Sequence, residues 1–242
     1  MENYDEKFYN DQKGGSLRSA REVLSYIYSL IKPKSVIDIG CGLGTWLSAF
    51  KELGVEEITG MDGNWVNKNN LYIDKDNFIE MDLENPVPIN RKFDLAMSLE
   101  VAEHLKKSSA EKFVNYLTSL SSTILFSAAI PNQGGTNHIN EQNPEYWIEL
   151  FKKNNFNVID CIRGQIWENT NIEIHYRQNM FLFVKEENYN QIQKKIGTII
   201  HPYYIVHPEF YDHVANSTLW RFAVKLNKIS IFNKVYKLID KK

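Results

Sequence analysis

The chain has 242 residues, of which 43% are apolar and 24% charged, so it fits one large domain or one domain with an appendage and is too short for two full domains. Two cysteines, Cys41 and Cys161, exclude a disulfide framework and indicate a reducing compartment. The net charge of −2 excludes a generally basic nucleic-acid coat, yet it combines −8 over residues 1–220 with +6 over residues 221–242. No apolar leader or membrane span is visible, so a cytoplasmic protein is expected.

Strand-like and helix-like segments alternate from the first apolar stretch onward. The spacing of apolar residues predicts helices over 17–31, 45–53, 110–120 and 144–153, and strands over 35–39, 58–62, 77–81, 93–99, 123–130, 156–162 and 179–185. This alternation predicts an α/β fold with a doubly wound, mostly parallel sheet covered by helices on both faces. The loop between the last two strands is too short for a clear helix, which leaves an antiparallel pairing open there.

The strongest motif is a glycine-rich turn between the first strand and the following helix, Asp38-Ile39-Gly40-Cys41-Gly42-Leu43-Gly44. Glycines let the backbone approach a ligand closely, and the helix start presents free N–H groups. The G-x-G-x-G spacing differs from the G-x-G-x-x-G of dinucleotide sites. Asp38 would repel a pyrophosphate but suits an ammonium group. The turn therefore favours a zwitterionic nucleoside without phosphates over NAD.

Acidic residues stand at the ends of the next two predicted strands. Asp62 ends the second strand, where a carboxylate can accept hydrogen bonds from both ribose hydroxyls. Asp82 follows the third strand, where it can accept a hydrogen bond from an adenine amino group.

Over about residues 16–185, the turn, Asp62, Asp82-Leu83 and the segment 93–98 resemble the motifs of class I S-adenosylmethionine-dependent methyltransferases. The resemblance implies a seven-stranded sheet of the Rossmann-like methyltransferase fold, with the cofactor across the carboxyl ends of the strands. It implies a methyltransferase domain over residues 1–185 and an aromatic, basic and helical extension over residues 186–242. By position, it implies that S-adenosylmethionine contacts Asp38, Gly40, Cys41, Gly42, Asp62, Gly63, Asp82 and Leu83.

A narrower resemblance is to methyltransferases encoded with bacterial capsule and lipopolysaccharide genes, and it rests on residues 14–20, 133–142 and 176–179. It implies an O-methyltransferase that acts on a cell-surface polysaccharide sugar or its activated or phosphorylated precursor. Two alternatives stay open. One is a methyltransferase for another small phosphorylated or quinone-like acceptor, and the other is a non-catalytic cofactor-binding module of a glycan-assembly complex.

Glu100, Glu103 and His104 follow the fourth strand at helical spacing and would share one face of a helix. Two carboxylates and an imidazole suit a divalent cation, Mg²⁺ or Mn²⁺. The motif E-x-x-E-H resembles one in ubiquinone-pathway O-methyltransferases and small-RNA 2′-O-methyltransferases, where it holds a metal. In the RNA enzymes a later histidine completes the site, which implies His138 as the further ligand. The alternative is a histidine that packs under the cofactor without any metal.

The candidate catalytic residues are His138, His104 and Glu141. Either histidine would act as general base toward an acceptor hydroxyl. Glu141 would support the site or bind acceptor hydroxyls, unless it is a surface carboxylate. Four residues flank the last loop, where aromatic faces suit sugar rings and arginines suit phosphate, or where all four simply pack in the core: Arg163, Trp167, Tyr176 and Arg177.

The basic end of the chain carries apolar residues at three- and four-residue steps, from Leu219 to Tyr236. This pattern predicts a helix that docks on the core or in a homodimer, or a basic amphipathic helix that rests on the anionic inner membrane or on a partner enzyme. No nucleic-acid partner is expected, because no basic stripe with interleaved aromatic residues appears.

Overall fold

The computed structural model describes residues 6–196, 203 and 205–216. The chain divides into two compact units, residues 1–205 and 206–242. The domain boundary predicted between residues 185 and 186 stays a prediction, and the basic helix predicted from Ser217 onward lies outside the described residues. In the described part of the chain, no helix combines the length and the apolar character that crossing a membrane requires.

The first unit is built on seven strands with helices between them. The strands are β1 (Ser35–Ile39), β2 (Glu57–Asp62), β3 (Phe78–Glu80), β4 (Leu95–Leu99), β5 (Thr123–Ser127), β6 (Phe156–Ile159) and β7 (Phe181–Lys185). Its α-helices are α1 (Glu6–Ile31), α2 (Thr45–Glu52), α3 (Ala110–Leu120), α4 (Pro144–Lys152), α5 (Arg163–Ile166), α6 (Ile174–Asn179) and α7 (Glu186–Ile196). Within the second unit, the described residues form α8 (Pro208–Asn216).

The sheet has the strand order β3-β2-β1-β4-β5-β7-β6. The first five strands in this order are mutually parallel, whereas β7 runs antiparallel to both β5 and β6. The predicted α/β class and mostly parallel seven-stranded sheet are confirmed, and the antiparallel pairing left open for the last two strands is present.

Burial of the strands follows from the helices on both faces. Every residue of β1, β4 and β5 is buried, as expected for parallel strands that are covered on each side. One apolar cluster packs α1 and α2 on the sheet, and a second packs α3 and α4 on the opposite face. The sheet is therefore a rigid platform whose carboxyl edge is free to carry a site.

Several element boundaries differ from the sequence prediction. Helix α1 begins at Glu6 rather than Leu17, and it runs through Gly14 and Gly15. Gly15 packs against the Glu173 side chain, and a Cβ at this position would lie 2.4 Å from the Glu173 carboxylate. Strand β5 ends at Ser127 rather than Ile130. The next three residues are buried, but they make no strand pairing. The predicted strand 156–162 ends at Ile159, and the predicted strand 179–185 begins at Phe181 because Asn179 belongs to α6.

Candidate functional site

The glycine turn leaves β1 with a left-handed backbone. Gly40, Gly42 and Gly44 have φ values of 85°, 53° and 78°. At Gly40 the requirement for glycine is steric as well, because a Cβ would lie 2.3 Å from Val101 Cγ2. The amides of Gly40 and Cys41 both donate to the Met61 carbonyl, which ties the turn to β2. These bonds fix the turn beside β2, immediately before the first residues of α2.

A cleft lies over the carboxyl ends of β1 and β4. These neighbours mark the position where the strand order reverses, which is where open α/β sheets bind ligands. The cleft brings together the predicted methionine-contacting residues of the turn with residues from α1, the end of β4 and α6. Its lining consists of Ser16, Asp38, Gly40, Cys41, Gly42, Leu43, Thr45, Trp46, Leu99, Glu100, His175 and Tyr176.

Asp38 is a buried carboxylate in this cleft. Burial raises its pKa well above the usual range, and the nearby charge of Asp62 raises the pKa further. A buried acid of this kind favours a cationic ligand, which restores its charged form. Burial also raises the pKa of the Cys41 thiol, so Cys41 is a neutral thiol that fills the turn.

Asp62 holds the turn together from the end of β2. Its Oδ2 accepts a hydrogen bond from the Gly42 amide and its Oδ1 accepts one from the Gly63 amide, each at 2.7 Å. The Trp65 indole also hydrogen-bonds to it, and the ring lies so close over Gly63 that a Cβ there would be 2.2 Å away. Burial nevertheless raises the pKa of Asp62 to about 6, since these hydrogen bonds offset only part of the desolvation.

The two residues predicted to contact adenine lie beside the cleft rather than in its lining. Asp82 is exposed, and its carboxylate accepts hydrogen bonds at 2.9 Å from the Glu84 amide and the Asn85 side chain. These bonds lower its pKa. Leu83 is buried. Both follow β3, which is two strands away from β1 on the same edge.

The segment after β4 is not the helix that the E-x-x-E-H spacing would require. Glu100 has φ 55°, and a 3-10 helix follows over Ala102–His104. Glu100, Glu103 and His104 therefore do not share one face of a helix, and that expectation is wrong. Glu100 instead lines the cleft, while Glu103 is fully buried.

Glu103, His104 and His138 form a compact cluster whose potential ligand atoms lie within 4.8 Å of one another. The two imidazole rings are nearly perpendicular, with centroids 4.8 Å apart. Burial lowers the pKa of His104 to about 4, and the neighbouring His138 lowers it too. Glu100 is not a member of this cluster.

Glu103 supplies the test of whether this cluster fits a cation. Neither carboxylate oxygen has a hydrogen bond of normal length and angle among the described residues, and only looser contacts from the Glu103 and Ala129 amides reach it. Burial, with the charge of Glu100, raises its pKa well above normal, and the amides of Glu103 and Ala129 counter this only in part. A buried carboxylate beside two imidazoles fits a divalent cation, and two nitrogen donors favour Mn²⁺, Fe²⁺ or Zn²⁺ over Mg²⁺.

Glu141 organises the acceptor loop, the name used here for residues 131–143. Its carboxylate accepts hydrogen bonds at 2.8 Å from the amides of Asn132 and Gly134. It also lies 2.9 Å from His138 Nδ1, and a proton on Nδ1 leaves Nε2 as the nitrogen that can accept a proton or bind a cation. Glu141 therefore organises the loop and is not simply a surface carboxylate. The loop itself is attached to the Glu103 carbonyl by two of its backbone amides.

Three residues that were not among the predicted site residues lie around Glu100. Gln133 Nε2 donates to Glu100 at 2.9 Å, and Asn179 Nδ2 donates to both its oxygens at 3.1 and 3.2 Å. Asn179 also donates to Gln133 at 2.8 Å, which closes the network. His175 lines the same cleft. Gln133 and Asn179 lie inside the segments 133–142 and 176–179 that stand out in the sequence, and this is the signal that could have identified them.

Of the residues expected to form the acceptor pocket, Tyr176 lines the cleft and the arginines do not. Arg163 is buried against Asp160, with Nε 3.0 Å from Oδ1. Arg177 is buried and donates at 3.0 Å to the carbonyls of Ile172 and Trp167. Of the two interpretations left open for these arginines, the structure favours core packing, because both guanidinium groups hold the loop before β7 in place.

Residues 12–160 match the family model of the methyltransferase domain. The chain is 28% identical to the mitochondrial ubiquinone biosynthesis O-methyltransferase of Dictyostelium discoideum, over 36% of this chain and only 31% of that relative. Two solved structures are also similar. One is the methyltransferase domain of bacterial CtHen1-CN, with TM-score 0.52, 19% identity, and 69% of this chain and 98% of that chain covered. The other is magnesium protoporphyrin IX methyltransferase from Synechocystis with bound SAH, with TM-score 0.51, 18% identity, and 72% and 86% covered.

The sheet order and the cleft at its carboxyl edge define the Rossmann-like methyltransferase fold, as the sequence predicts. Because the family model covers more than half of the chain, the chain belongs to the methyltransferase-domain family. Its enzyme class is that of the S-adenosylmethionine-dependent methyltransferases.

Proposed function

We propose that the cleft binds S-adenosylmethionine and that the enzyme transfers the methyl group to a hydroxyl of a cell-surface polysaccharide sugar or of its activated precursor. The observation that carries the donor site is the pair of buried carboxylates, Asp38 and Asp62, on either side of a glycine turn. Asp38 suits the ammonium and sulfonium charges, and Asp62 suits the ribose hydroxyls. The first amides of α2 suit the cofactor carboxylate.

The acceptor class rests on the capsule-associated resemblance and on where its three segments lie. Segment 14–20 contributes Ser16 to the cleft, and segment 176–179 contributes Tyr176. Segment 133–142 contributes Gln133, which binds the cleft residue Glu100. Three segments that are distant in sequence therefore converge on one cleft, as expected if they recognise a shared class of acceptor.

The donor half of this proposal is tested by isothermal titration with S-adenosylmethionine and with its product, S-adenosylhomocysteine. We expect micromolar binding of both, and no binding below millimolar concentration would reject the proposed site. A screen for S-adenosylhomocysteine release then covers nucleotide-sugars, sugar phosphates, small phosphoesters and catechol. Release with catechol or a phosphoester alone would favour the small-acceptor alternative, and binding without release would favour a non-catalytic module.

We also propose that Glu103, His104 and His138 hold a divalent cation. When bound, such a cation supplies Lewis acidity beside the acceptor. Thermal melting of the chelator-treated protein with added Mn²⁺ or Zn²⁺ tests the site. The wild type should melt several degrees higher with the cation, and Glu103→Gln should not respond. Glu111→Gln, on the exposed start of α3, is the matched control and should respond like the wild type.

A further inference from the structure

The carboxyl edge of the sheet orders the groups that can meet a bound cofactor. Along β3, β2, β1 and β4 this edge carries Asp82, Asp62, Asp38 and Glu100 in turn. On the proposed function, the nucleoside lies over β3 and β2 and the methionine part over β1. The transferred methyl group then points toward the β4 side. Glu100 is the first ionisable side chain on that side that lines the cleft.

The backbone places Glu100 there against its ordinary preference. Its φ of 55° lies in the left-handed region, which a residue with a Cβ adopts only at a cost. The Glu100 amide is fixed to Ser127, to the carbonyl and hydroxyl oxygens, each at 3.1 Å. Because β5 holds this amide, the left-handed turn is built into the end of the sheet, and the carboxylate is directed into the cleft.

Hydrogen bonds from two side-chain amides also hold the Glu100 carboxylate in position. Asn179 and Gln133 both donate to its oxygens, and Asn179 Nδ2 also donates to Gln133 Oε1. Oε2 accepts two of these bonds, whereas Oε1 accepts one, so Oε1 keeps a lone pair for a ligand. Among the described residues that line the cleft there is no Lys or Arg to neutralise this charge.

We infer that Glu100 is a catalytic residue that faces the transferred methyl group and accepts the proton of the acceptor, and that Gln133 and Asn179 are its positioning residues. The inference rests on the proposed cofactor site. It assigns the acceptor to molecules with a transferable X–H group, a hydroxyl or an amine. It also separates Glu100 from the cation cluster, to which the sequence prediction assigned it.

The proposed step balances without a further reagent. An acceptor oxygen lone pair forms the new O–C bond as the S–C bond of the sulfonium breaks, and the bonding pair stays on sulfur as a neutral thioether. The acceptor proton moves to Glu100 Oε1 and is later lost to water. The cation of the donor and the anion of Glu100 are thus both discharged in the cleft.

A pair of cofactor analogues tests the position of Glu100 without knowledge of the acceptor. Sinefungin carries an amine in the place of the transferable methyl group, whereas S-adenosylhomocysteine has a thioether sulfur and no group in the place of the methyl. The wild type should bind sinefungin more tightly than S-adenosylhomocysteine in isothermal titration. Glu100→Gln should reduce this preference by about tenfold or more, because a charge-assisted hydrogen bond is lost. Its affinity for S-adenosylhomocysteine should change less than about threefold.

Glu173→Gln is the matched control, since Glu173 is a partly exposed carboxylate close to the cleft residue His175 and pairs with Arg18. It should keep the wild-type preference. Gln133→Leu tests the side-chain hydrogen bonds to Glu100 from the partly exposed acceptor loop and should lower the preference by about threefold, the effect of one hydrogen bond. This second variant also keeps the inference testable if Glu100→Gln melts too low to be studied.

Each outcome separates the two proposals. If the wild type binds neither analogue, the proposed cofactor site fails and the inference falls with it. If the wild type binds both but Glu100→Gln keeps its preference for sinefungin, the inference is overturned and the cofactor site stands. If Glu100→Gln loses both analogues equally, Glu100 holds another part of the cofactor, which also overturns the inference.

Discussion

The two halves of the cleft are built in different ways. The proposed donor half consists of the glycine turn and Asp38, together with Asp62, which binds the turn without lining the cleft, and backbone amides determine its shape. The acceptor half consists of Glu100, the acceptor loop and residues 160–180, and side-chain amides determine its shape. A backbone-built half tolerates little change in conformation, whereas a side-chain-built half can be altered residue by residue. We therefore expect substitutions in the donor half to affect folding and cofactor binding, and those in the acceptor half to affect turnover.

The largest effect should come from Gly40→Ala, which strains the donor half directly. Left-handed backbone strain and the clash with Val101 together should cost about 3 kcal/mol or more of the free energy of unfolding. Gly42→Ala is the control, because it shares the positive φ but its Cβ would meet no atom within 4 Å. It should cost about 1 kcal/mol. Urea unfolding measures both, and equal losses would contradict the close-approach argument.

Asp62→Asn should weaken cofactor binding and also lower the free energy of unfolding, because one of the two turn amides loses its acceptor. The neutral amide accepts ribose hydrogen bonds less well and places N–H groups against the amides of Gly42 or Gly63, so the Kd for S-adenosylhomocysteine should rise about a hundredfold. Asp74→Asn, at an exposed position after the turn, serves as control. An Asp62→Asn protein that binds within threefold of the wild type would remove Asp62 from the donor site.

His138→Ala should affect the acceptor half alone and lower turnover at least roughly tenfold, with unchanged affinity for S-adenosylhomocysteine. Turnover is measured on the acceptor that the screen identifies, before and after EDTA treatment. Loss of wild-type activity in EDTA supports the cation role of His138, and survival supports the general-base role. Near-normal turnover of the variant would contradict both.

The smallest effect concerns pH. Because Asp62 has a pKa of about 6, ionised Asp62 falls to about a quarter at pH 5.5, and cofactor affinity should be about fourfold weaker there than at pH 7.5. Asp38 shares this environment and acts in the same direction, so Asp62→Asn should reduce the pH dependence of cofactor affinity only in part.

The stability of the cofactor-free protein should show the opposite pH dependence. The raised folded pKa means that Asp62 takes up protons on folding between about pH 4 and 6, so its contribution falls as pH rises through this window.

The donor half could be predicted from the sequence because its groups sit at strand ends that apolar runs reveal. Asp38, Gly40 and Asp62 each lie within one residue of the end of a strand. The parallel sheet brings these ends to one edge without further information. The prediction of the fold and of the turn required only local patterns and this one rule.

The acceptor half could not be predicted in the same way, since its contacts join distant residues. Glu100 lies 33 positions from Gln133 and 79 from Asn179. The helical spacing after β4 was misleading, because the left-handed backbone at Glu100 prevents a continuous helix from Glu100 to Glu103. Arg163 illustrates a further limit. The sequence cannot distinguish an arginine that binds phosphate from one that is buried against an aspartate, and only the fold shows that Arg163 pairs with Asp160.

The reversed direction of β7 has a consequence for how such enzymes diversify. Because β6 runs parallel to β5 and β7 runs back, the connection over residues 160–180 lies at the carboxyl edge of the sheet, where the cofactor site is proposed. It carries His175, Tyr176 and Asn179, and the family match ends at residue 160. A change in the length or composition of this connection would therefore alter one wall of the cleft and leave the parallel strands and the glycine turn in place.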